Sequence, residues 1–321
     1  MAATKPIRVA SIGECMIELR HRSERELELA FGGDTLNMAV YLARLTRGAG
    51  VRVDYVTALG ADDPYSEQMV REWEREGVGT GLVERLPGRL PGLYLIRLDE
   101  RGERSFTYYR SAAAARDMLR GERGREVLDA LRGYDLVYLT GITLSILADD
   151  QRGRLVELAE DLRRRGGRLA FDSNFRPAGW PDPEEARRWF TAFMERADIL
   201  LPTLDDDRRL LGDADPESCA ARRRAMGASE VAVKLGPEGC HVASDAFTGR
   251  VPPEPVTRVV DTTAAGDSFN AGYLAARLLG RSPAEAARLG NRVAARVIAH
   301  PGAIVPREAT ADLELPGRSH A

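Results

Sequence analysis

The chain of 321 residues lacks several features that define membrane, secreted and nucleic-acid-binding proteins. No uninterrupted apolar run approaches the roughly 18 residues that span a membrane, and we expect no signal peptide before the first strand-like segment. Three widely spaced cysteines form neither a disulfide framework nor a zinc-binding CxxC pair, so we expect reduced thiols and a cytoplasmic location. The net charge of −3 gives no reason to expect nucleic acid or a membrane as a partner.

Lysine is nearly absent, because of the 46 basic residues only Lys5 and Lys234 are lysines. This bias is a property of the overall composition, so most arginines do not by themselves indicate a function. The RRR runs at 163–165 and 222–224 are therefore interpreted as solvated helix faces. A lysine kept at an interior position, Lys234, is more informative than any single arginine.

Short apolar segments alternate with amphipathic ones along the chain, which favours an α/β fold with a parallel sheet covered by helices. Predicted strands lie at 7–12, 53–59, 135–140, 168–172, 198–202 and 230–235, and predicted helices at 35–46, 64–76, 149–165, 183–197, 266–280 and 283–299. Segments 92–98 and 104–109 flank the turn sequence DERG and interrupt the alternation as a hairpin. We interpret this hairpin as an inserted flap, which 26–31 can join.

The segment DTTAAGDSFNAGYLAARL, residues 261–278, carries the strongest chemical signal. A loop of small residues (Ala264, Ala265 and Gly266) opens an amphipathic helix, where backbone N–H groups and the helix dipole favour an anion. Asp267 follows in the first helical turn, where a carboxylate can accept the proton of a hydroxyl that attacks a phosphate. The alternative is that Asp267 merely caps a helix that begins with small residues.

Other polar segments occupy turns and strand ends. In 31–45, Asp34 and Asn37 follow two glycines and can bind hydroxyls, or simply cap a helix. In 171–177, Asp172, Asn174 and Arg176 alternate after a predicted strand, at the edge of an open sheet where ligands bind. On the flap, Arg110 shares a face with Tyr108, and its fork suits a carboxylate.

Together these segments resemble the ribokinase (PfkB-type) family of carbohydrate kinases over nearly the whole chain. DTTAAGDSF at 261–269 is similar to that family's signature DTTGAGDSF, and FGGDTLN at 31–37 to its amino-terminal GG region. Further segments resemble the bacterial 2-keto-3-deoxygluconate kinases of the family: IGECMIEL, VTALG, RLPGLYLI, DERGERSFTYYR, FDSNFRP and TLDDD.

The resemblance implies a ribokinase-like three-layer αβα sandwich with a central, mostly parallel sheet and a small β-sheet lid. It implies a kinase domain over 1–310, with the lid inserted from about 14–33 and 90–112, and a C-terminal tail at 311–321. It also implies ATP and Mg²⁺ as cofactors, and phosphoryl transfer to the 6-hydroxyl of 2-keto-3-deoxygluconate, a step of hexuronate or Entner–Doudoroff catabolism.

The family's functional residues carry over by position. Asp267 is then the general base, and the backbone at Ala264, Ala265 and Gly266 forms the anion hole. Residues implied to bind the sugar acid are Gly33, Asp34, Asn37, Tyr94, Tyr108, Arg110, Arg176 and Asp267. Residues implied to border the nucleotide are Asn174, Lys234, Gly236, Gly239, Ala264 and Gly266.

Two departures from the family pattern limit this transfer. Where many members carry N-x-x-E near the metal, this chain has Thr203 through Asp206, so the magnesium ligands stay unassigned. Ala264 replaces the usual glycine and is tolerated if its backbone is not left-handed.

Three alternatives to this function stay open at this point. The first is the same fold acting on another acceptor, as a fructokinase or ribokinase would. The second is a non-catalytic sugar-acid sensor. The third, a dinucleotide-dependent dehydrogenase, is disfavoured because no GxGxxG motif follows the first strand.

A β-hairpin is only marginally stable on its own, so we also expect a homodimer formed through the lid.

Overall fold

A computed structural model describes residues 5–98 and 104–317. The strands are β1 (Ile7–Ile12), β2 (Met16–His21), β3 (Leu27–Gly32), β4 (Val51–Gly60), β5 (Val83–Leu86), β6 (Gly92–Leu98), β7 (Arg104–Tyr109), β8 (Leu136–Thr140), β9 (Arg168–Asp172), β10 (Ile199–Leu200), β11 (Glu230–Lys234), β12 (Cys240–Ser244) and β13 (Thr248–Val251). The helices are α1 (Asp34–Leu45), α2 (Pro64–Arg75), α3 (Gly121–Leu131), α4 (Gly141–Ile146), α5 (Asp149–Arg164), α6 (Pro183–Met194), α7 (Leu204–Leu211), α8 (Pro216–Ala225), α9 (Ala265–Leu278) and α10 (Pro283–Ile298).

The large sheet has the strand order β13-β12-β11-β10-β9-β8-β1-β4-β5. Strands β11 through β5 in this order pair in parallel, while β12 and β13 add an antiparallel edge. The order reverses between β1 and β8, and such a reversal opens a crevice at the carboxyl ends of the strands. The expected mostly parallel sheet is confirmed.

Helices cover both faces of this sheet because its strands are apolar on both faces. Val9 belongs to one buried cluster with α1, α9 and α10, whereas its neighbour Ala10 belongs to a second cluster with α5 and α6. Successive strand residues thus enter different cores, and the predicted three layers are confirmed. Within the first core α9 and α10 approach closely, since a Cβ on Gly272 would lie 2.9 Å from the Cα of Gly290.

A second, four-stranded sheet forms the lid, with the order β3-β2-β6-β7. The predicted hairpin strands have the predicted bounds, and the segment predicted at 26–31 joins them as β3. The predicted DERG turn lies outside the described residues. Strand β2 was not predicted as a strand, and it links β3 to β6 at the centre of the lid.

Four helices begin with the same pair of residues, a capping side chain followed by proline at the first helical position. Asp63, Asp182, Asp215 and Ser282 accept hydrogen bonds from the first turns of α2, α6, α8 and α10. No helix in residues 5–98 and 104–317 is long and apolar enough to cross a membrane.

The interpretation of both arginine runs as solvated faces is wrong at one residue. Arg223 is buried on α8, where its guanidinium bridges Asp207 and Asp213 at 2.6 Å each. The helical period turns one residue of a three-residue run inward, and two carboxylates compensate its charge. Near the C-terminus, Leu313 is buried and the Leu315 N–H donates to Leu45 O at 2.7 Å, so the start of the predicted tail packs on α1.

Candidate active site

Asp267 lies at the start of α9, partly exposed to a cavity of about 770 Å³ that we call the loop cleft. Asn37 on α1 donates a 2.9 Å hydrogen bond from Nδ2 to Asp267 Oδ2. Burial, followed by the charges of Asp34 and Asp172, raises the pKa of Asp267 from 3.8 to about 7, against the Asn37 hydrogen bond and Lys234. A carboxylate with this pKa gains or loses its proton near neutral pH, which suits a general base.

The small-residue loop borders the same cleft. The residues between Thr262 and Asp267 all line the loop cleft. The Ala265 N–H donates a 3.3 Å hydrogen bond to Thr262 O, and the N–H groups that follow it in the first turn of α9 have no acceptor within the helix. Ala264 occupies the position before α9 with φ 60° and ψ 14°, which is left-handed. The condition for a strain-free alanine here is therefore not met, because a Cβ in this region costs about 1–2 kcal/mol.

Lys234 enters the loop cleft from the end of β11. Its Nζ donates to Asp172 Oδ2 at 2.6 Å and to Asn270 Oδ1 at 3.2 Å, and Asn270 Nδ2 donates to the same Asp172 oxygen at 2.6 Å. A Cβ on Gly266 would lie 3.6 Å from Lys234 Nζ, so the ammonium group lies beside the loop. The interior lysine therefore adds a positive charge to the helix N-terminus.

Asp172, Asn174 and Arg176 line one cleft, as their spacing predicted. The chain between them is not extended, because Asn174 has φ 33°. Its side-chain amide donates to Asp34 Oδ2 at 2.7 Å, and Thr140 donates to the same oxygen at 2.6 Å. These bonds fix the Asp34 carboxylate, whose pKa is raised chiefly by burial.

The stretch that departs from the family pattern contributes Asp206 to the loop cleft. Burial raises the pKa of Asp206, and Arg176 Nη1 lies 3.1 Å from its Oδ2. Its neighbour Asp207 points away from the cleft into the buried ion-pair cluster with Arg223 and Asp213. That cluster anchors α7 and so holds Asp206 towards the cleft.

A second cavity of about 740 Å³, which we call the lid cleft, lies at the crevice between β1 and β8 and beneath the lid. It shares Asp34, Ile142 and Arg176 with the loop cleft, so the two clefts join. Gly33 lines this cleft and has no room for a side chain, since a Cβ would lie 2.1 Å from Glu14 O.

The structure brings together most of the sequence-predicted site residues. Those that line the lid cleft are Gly33, Asp34, Tyr108, Arg110 and Arg176. Those that line the loop cleft are Asp34, Asn174, Arg176, Lys234, Ala264, Ala265, Gly266 and Asp267. Asn37 reaches the site through its hydrogen bond to Asp267.

Three predicted residues lie elsewhere. Tyr94 is buried within the lid, donates its hydroxyl proton to Glu18 and is absent from the lining of both clefts. Gly236 and Gly239 form the turn between β11 and β12, also outside both linings, with positive φ values of 58° and 85°. Both positions are glycine because the turn requires positive φ values, which residues with a side chain rarely adopt.

The lid cleft also contains charged residues that the sequence reasoning missed. Glu14 is buried and pairs with Arg110, and its pKa is raised because desolvation outweighs that ion pair. Arg116 and Arg152 line the same cavity. Glu14 lies two residues after the end of β1, so the rule that ligands bind at strand ends could have singled it out.

Comparison with known proteins identifies the family. The sequence profile of the pfkB family carbohydrate kinases matches residues 7–310. The chain belongs to the PfkB family. The expected resemblance is therefore confirmed.

Several curated relatives carry one name. The chain is 45% identical over 308 residues to the 2-dehydro-3-deoxygluconokinase of Escherichia coli K12, covering 94% of this chain and 98% of that protein. It is 43% identical over 304 residues to the enzyme of the same name from Dickeya dadantii, covering 94% and 97%.

Solved structures agree on the fold. A PfkB protein from Polaromonas sp. JS666 matches with a TM-score of 0.79 at 28% identity, covering 90% of this chain and 95% of that chain. The 2-dehydro-3-deoxygluconokinase of Thermotoga maritima matches with a TM-score of 0.81 at 20% identity, covering 96% and 98%, and supports the fold alone. The ribokinase-like fold class is thus confirmed.

Proposed function

We propose that this protein transfers the γ-phosphoryl group of ATP to the terminal 6-hydroxyl of 2-keto-3-deoxygluconate, with Asp267 as the general base. The observation that carries the proposal is that Asp267 stands beside the small-residue loop where a cleft suited to phosphate joins one that contains arginines and a tyrosine. The name shared by the well-covered bacterial relatives supports the same acceptor.

In this mechanism the protein positions the two substrates and stabilises charge. Asp267 takes the proton of the acceptor hydroxyl as that oxygen attacks phosphorus. The N–H group at Gly266, and that at Ala265 when it exchanges its 3.3 Å bond to Thr262 O for the ligand, stabilise the negative charge on the transferring group, with Lys234 beside them. The lid excludes water from the cleft, which protects ATP from hydrolysis.

The residues of the loop cleft also fit a magnesium ion. Mg²⁺ prefers carboxylate oxygens and usually binds through one or two of them together with substrate phosphates. Asp206 and Asp172 offer such oxygens in the cleft, and the raised pKa of Asp206 shows that burial destabilises its charge. Bound there, the ion would neutralise phosphate charge. Asp206 would supply the carboxylate that the Glu of the N-x-x-E pattern supplies in many family members.

We further propose a homodimer formed through the outer face of the lid. Register places Leu29, Leu19 and Leu95 side by side across three strands, and Tyr109 opposite Leu93. Leu29 is 39% exposed and Tyr109 64% exposed, so this face leaves apolar surface in solvent. We expect light scattering to give a dimer at micromolar concentration, whereas a monomer would contradict the proposal.

We also propose a cytoplasmic location, because the three cysteines are buried and free, as in proteins of a reducing compartment.

The proposed activity is tested by ADP release with a panel of acceptors. The panel contains 2-keto-3-deoxygluconate, its galactonate-derived epimer, fructose and ribose. We expect the gluconate-derived keto-acid to give a higher kcat/KM than either neutral sugar. Preference for a neutral sugar would establish another acceptor, and saturable keto-acid binding without ADP formation would favour a sensor.

A further inference from the structure

One buried amide on α9 lies directly behind the loop cleft. Asn270 is fully buried about one helical turn beyond Asp267, on the helix that carries the proposed base. Its Nδ2 donates to the Tyr138 hydroxyl at 3.0 Å and to Asp172 Oδ2 at 2.6 Å, and its Oδ1 accepts a 3.2 Å hydrogen bond from Lys234 Nζ. Both amide protons and the oxygen are thus engaged, which fixes this side chain from three sides.

The ammonium group of Lys234 carries three protons, and two of them are held by buried acceptors. It donates to Asp172 Oδ2 at 2.6 Å and to Asn270 Oδ1 at 3.2 Å, which are its hydrogen bonds within residues 5–98 and 104–317. Lys234 also lines the loop cleft, and a Cβ on Gly266 would lie 3.6 Å from its Nζ. The third proton is therefore left for a ligand beside the anion hole.

The ion pair with Asp172 does not by itself fix the direction of that third proton. A lysine has a flexible stem and a rotating ammonium group, so a single acceptor leaves the group free to swivel about the carboxylate oxygen. Asn270 supplies a second acceptor, and its own amide donates to the same Asp172 oxygen. The three side chains thus form a closed triangle of hydrogen bonds. Two fixed acceptors determine where the remaining N–H points.

We propose that Asn270 is a positioning residue for phosphoryl transfer, which aims the remaining N–H of Lys234 at the transferring phosphoryl group. The inference rests on the proposed function, because it concerns the charge that develops during that transfer. A donor that is fixed before the reaction stabilises developing charge without first having to reorient. Asn270 is buried and acts only through Lys234, so its removal should affect the rate and not the binding of the acceptor.

The kinetic test is a double-mutant cycle between Asn270→Ala and Lys234→Met. We expect Asn270→Ala to lower kcat and kcat/KM together by about 10- to 100-fold, the effect of misplacing a charged donor. The KM for 2-keto-3-deoxygluconate should change less than about threefold. In the Lys234→Met background the same change should lower kcat less than about threefold, because no ammonium group is left to position. A general loss of structure would lower kcat equally in both backgrounds.

The composition of the chain makes this ammonium group directly observable by NMR. Because Lys5 and Lys234 are the only lysines, isotope-labelled lysine gives one signal from an exposed residue and one from the buried site. In wild type the two protons on Cε of Lys234 should have separate shifts, because the ammonium group is held in one orientation. In Asn270→Ala they should move towards a single shift, whereas the signal of Lys5 should not change.

Two further variants keep the result interpretable. Asn270→Leu preserves most of the side-chain volume and should reproduce both effects if the alanine variant folds poorly. Tyr134→Phe is the matched control, since the buried Tyr134 hydroxyl donates to Asp54 Oδ2 at 2.8 Å just before β8, at the opposite end of the sheet from the clefts. It should lower the thermal midpoint while kcat and both lysine signals stay as in wild type.

The outcomes separate the two proposals. Wild-type protein that releases no ADP with the keto-acid would contradict the proposed function. Wild-type turnover together with an unchanged kcat in Asn270→Ala, or with an equal loss of kcat in the Lys234→Met background, would overturn the role of Asn270 and leave the proposed function standing. Separate Cε proton shifts of Lys234 that persist in Asn270→Ala would likewise overturn it, and so would a change confined to the Mg²⁺ concentration that the reaction requires.

Discussion

Replacing Asp267 by asparagine should separate activity from stability. The amide cannot take a proton from the acceptor hydroxyl, so we expect turnover to fall about 10²- to 10⁴-fold. The amide oxygen can still accept the hydrogen bond that Asn37 donates to the carboxylate. The change therefore removes a charge and a base while it keeps the shape of the site.

The same change should stabilise the protein, because the folded state holds the Asp267 charge unfavourably. Its pKa is raised from 3.8 to about 7, so the folded protein retains a proton that the unfolded chain has already lost. Wild type consequently loses stability as the pH rises from about 4 to about 7. Water in the cleft screens part of this charge. At pH 8 the charge therefore lowers the free energy of unfolding by at most about 4 kcal/mol.

The measurement is urea unfolding of both proteins at pH 5 and pH 8. We expect the stability advantage of Asp267→Asn to grow by up to about 2–3 kcal/mol between these values and to level off above pH 7. Asp129→Asn on an exposed carboxylate is the matched control and should show no such pH dependence. An asparagine variant that is less stable than wild type at pH 8 would refute the assignment of Asp267 as a charge that the folded state disfavours.

Two stability predictions follow from backbone geometry. Ala264→Gly should raise the free energy of unfolding by up to about 1 kcal/mol, since glycine removes left-handed strain but loses more entropy on folding; denaturant titration showing a loss would contradict the left-handed conformation. Gly272→Ala should lower the free energy of unfolding by about 1–3 kcal/mol, because the new Cβ would meet Gly290 on α10. Gly153→Ala in α5 places its Cβ in open space and should raise the free energy of unfolding by about 0.5–1 kcal/mol. Equal thermal midpoints for these two variants would argue against the close α9–α10 contact.

Sequence reasoning succeeded where the signal was local. The small-residue loop before α9, the strand ends and the lid hairpin each depend on residues that are neighbours in the chain, so periodicity and turn chemistry identified them. The shared cleft of Asp172 and Arg176 followed from the rule that strand ends meet at one edge of a parallel sheet.

It failed where a side chain depends on a distant partner. Glu14 and Arg110 are 96 residues apart, and nothing near either one in the chain announces their pairing. The burial of Arg223 is set by two aspartates that only the packing of α7 on α8 brings together. The left-handed conformation of Ala264 likewise follows from how the loop turns into α9. The sequence does not indicate this conformation, because alanine strongly favours a right-handed helix.

The pH dependence of kcat/KM for 2-keto-3-deoxygluconate tests the central claim most directly. This ratio reports groups that ionise in the free enzyme, and the base must be deprotonated to act. We predict that kcat/KM rises from pH 5 with a midpoint at about 7, the pKa to which burial and neighbouring carboxylates raise Asp267. A profile that is flat across this range, in a protein that stays folded, would contradict Asp267 as the base.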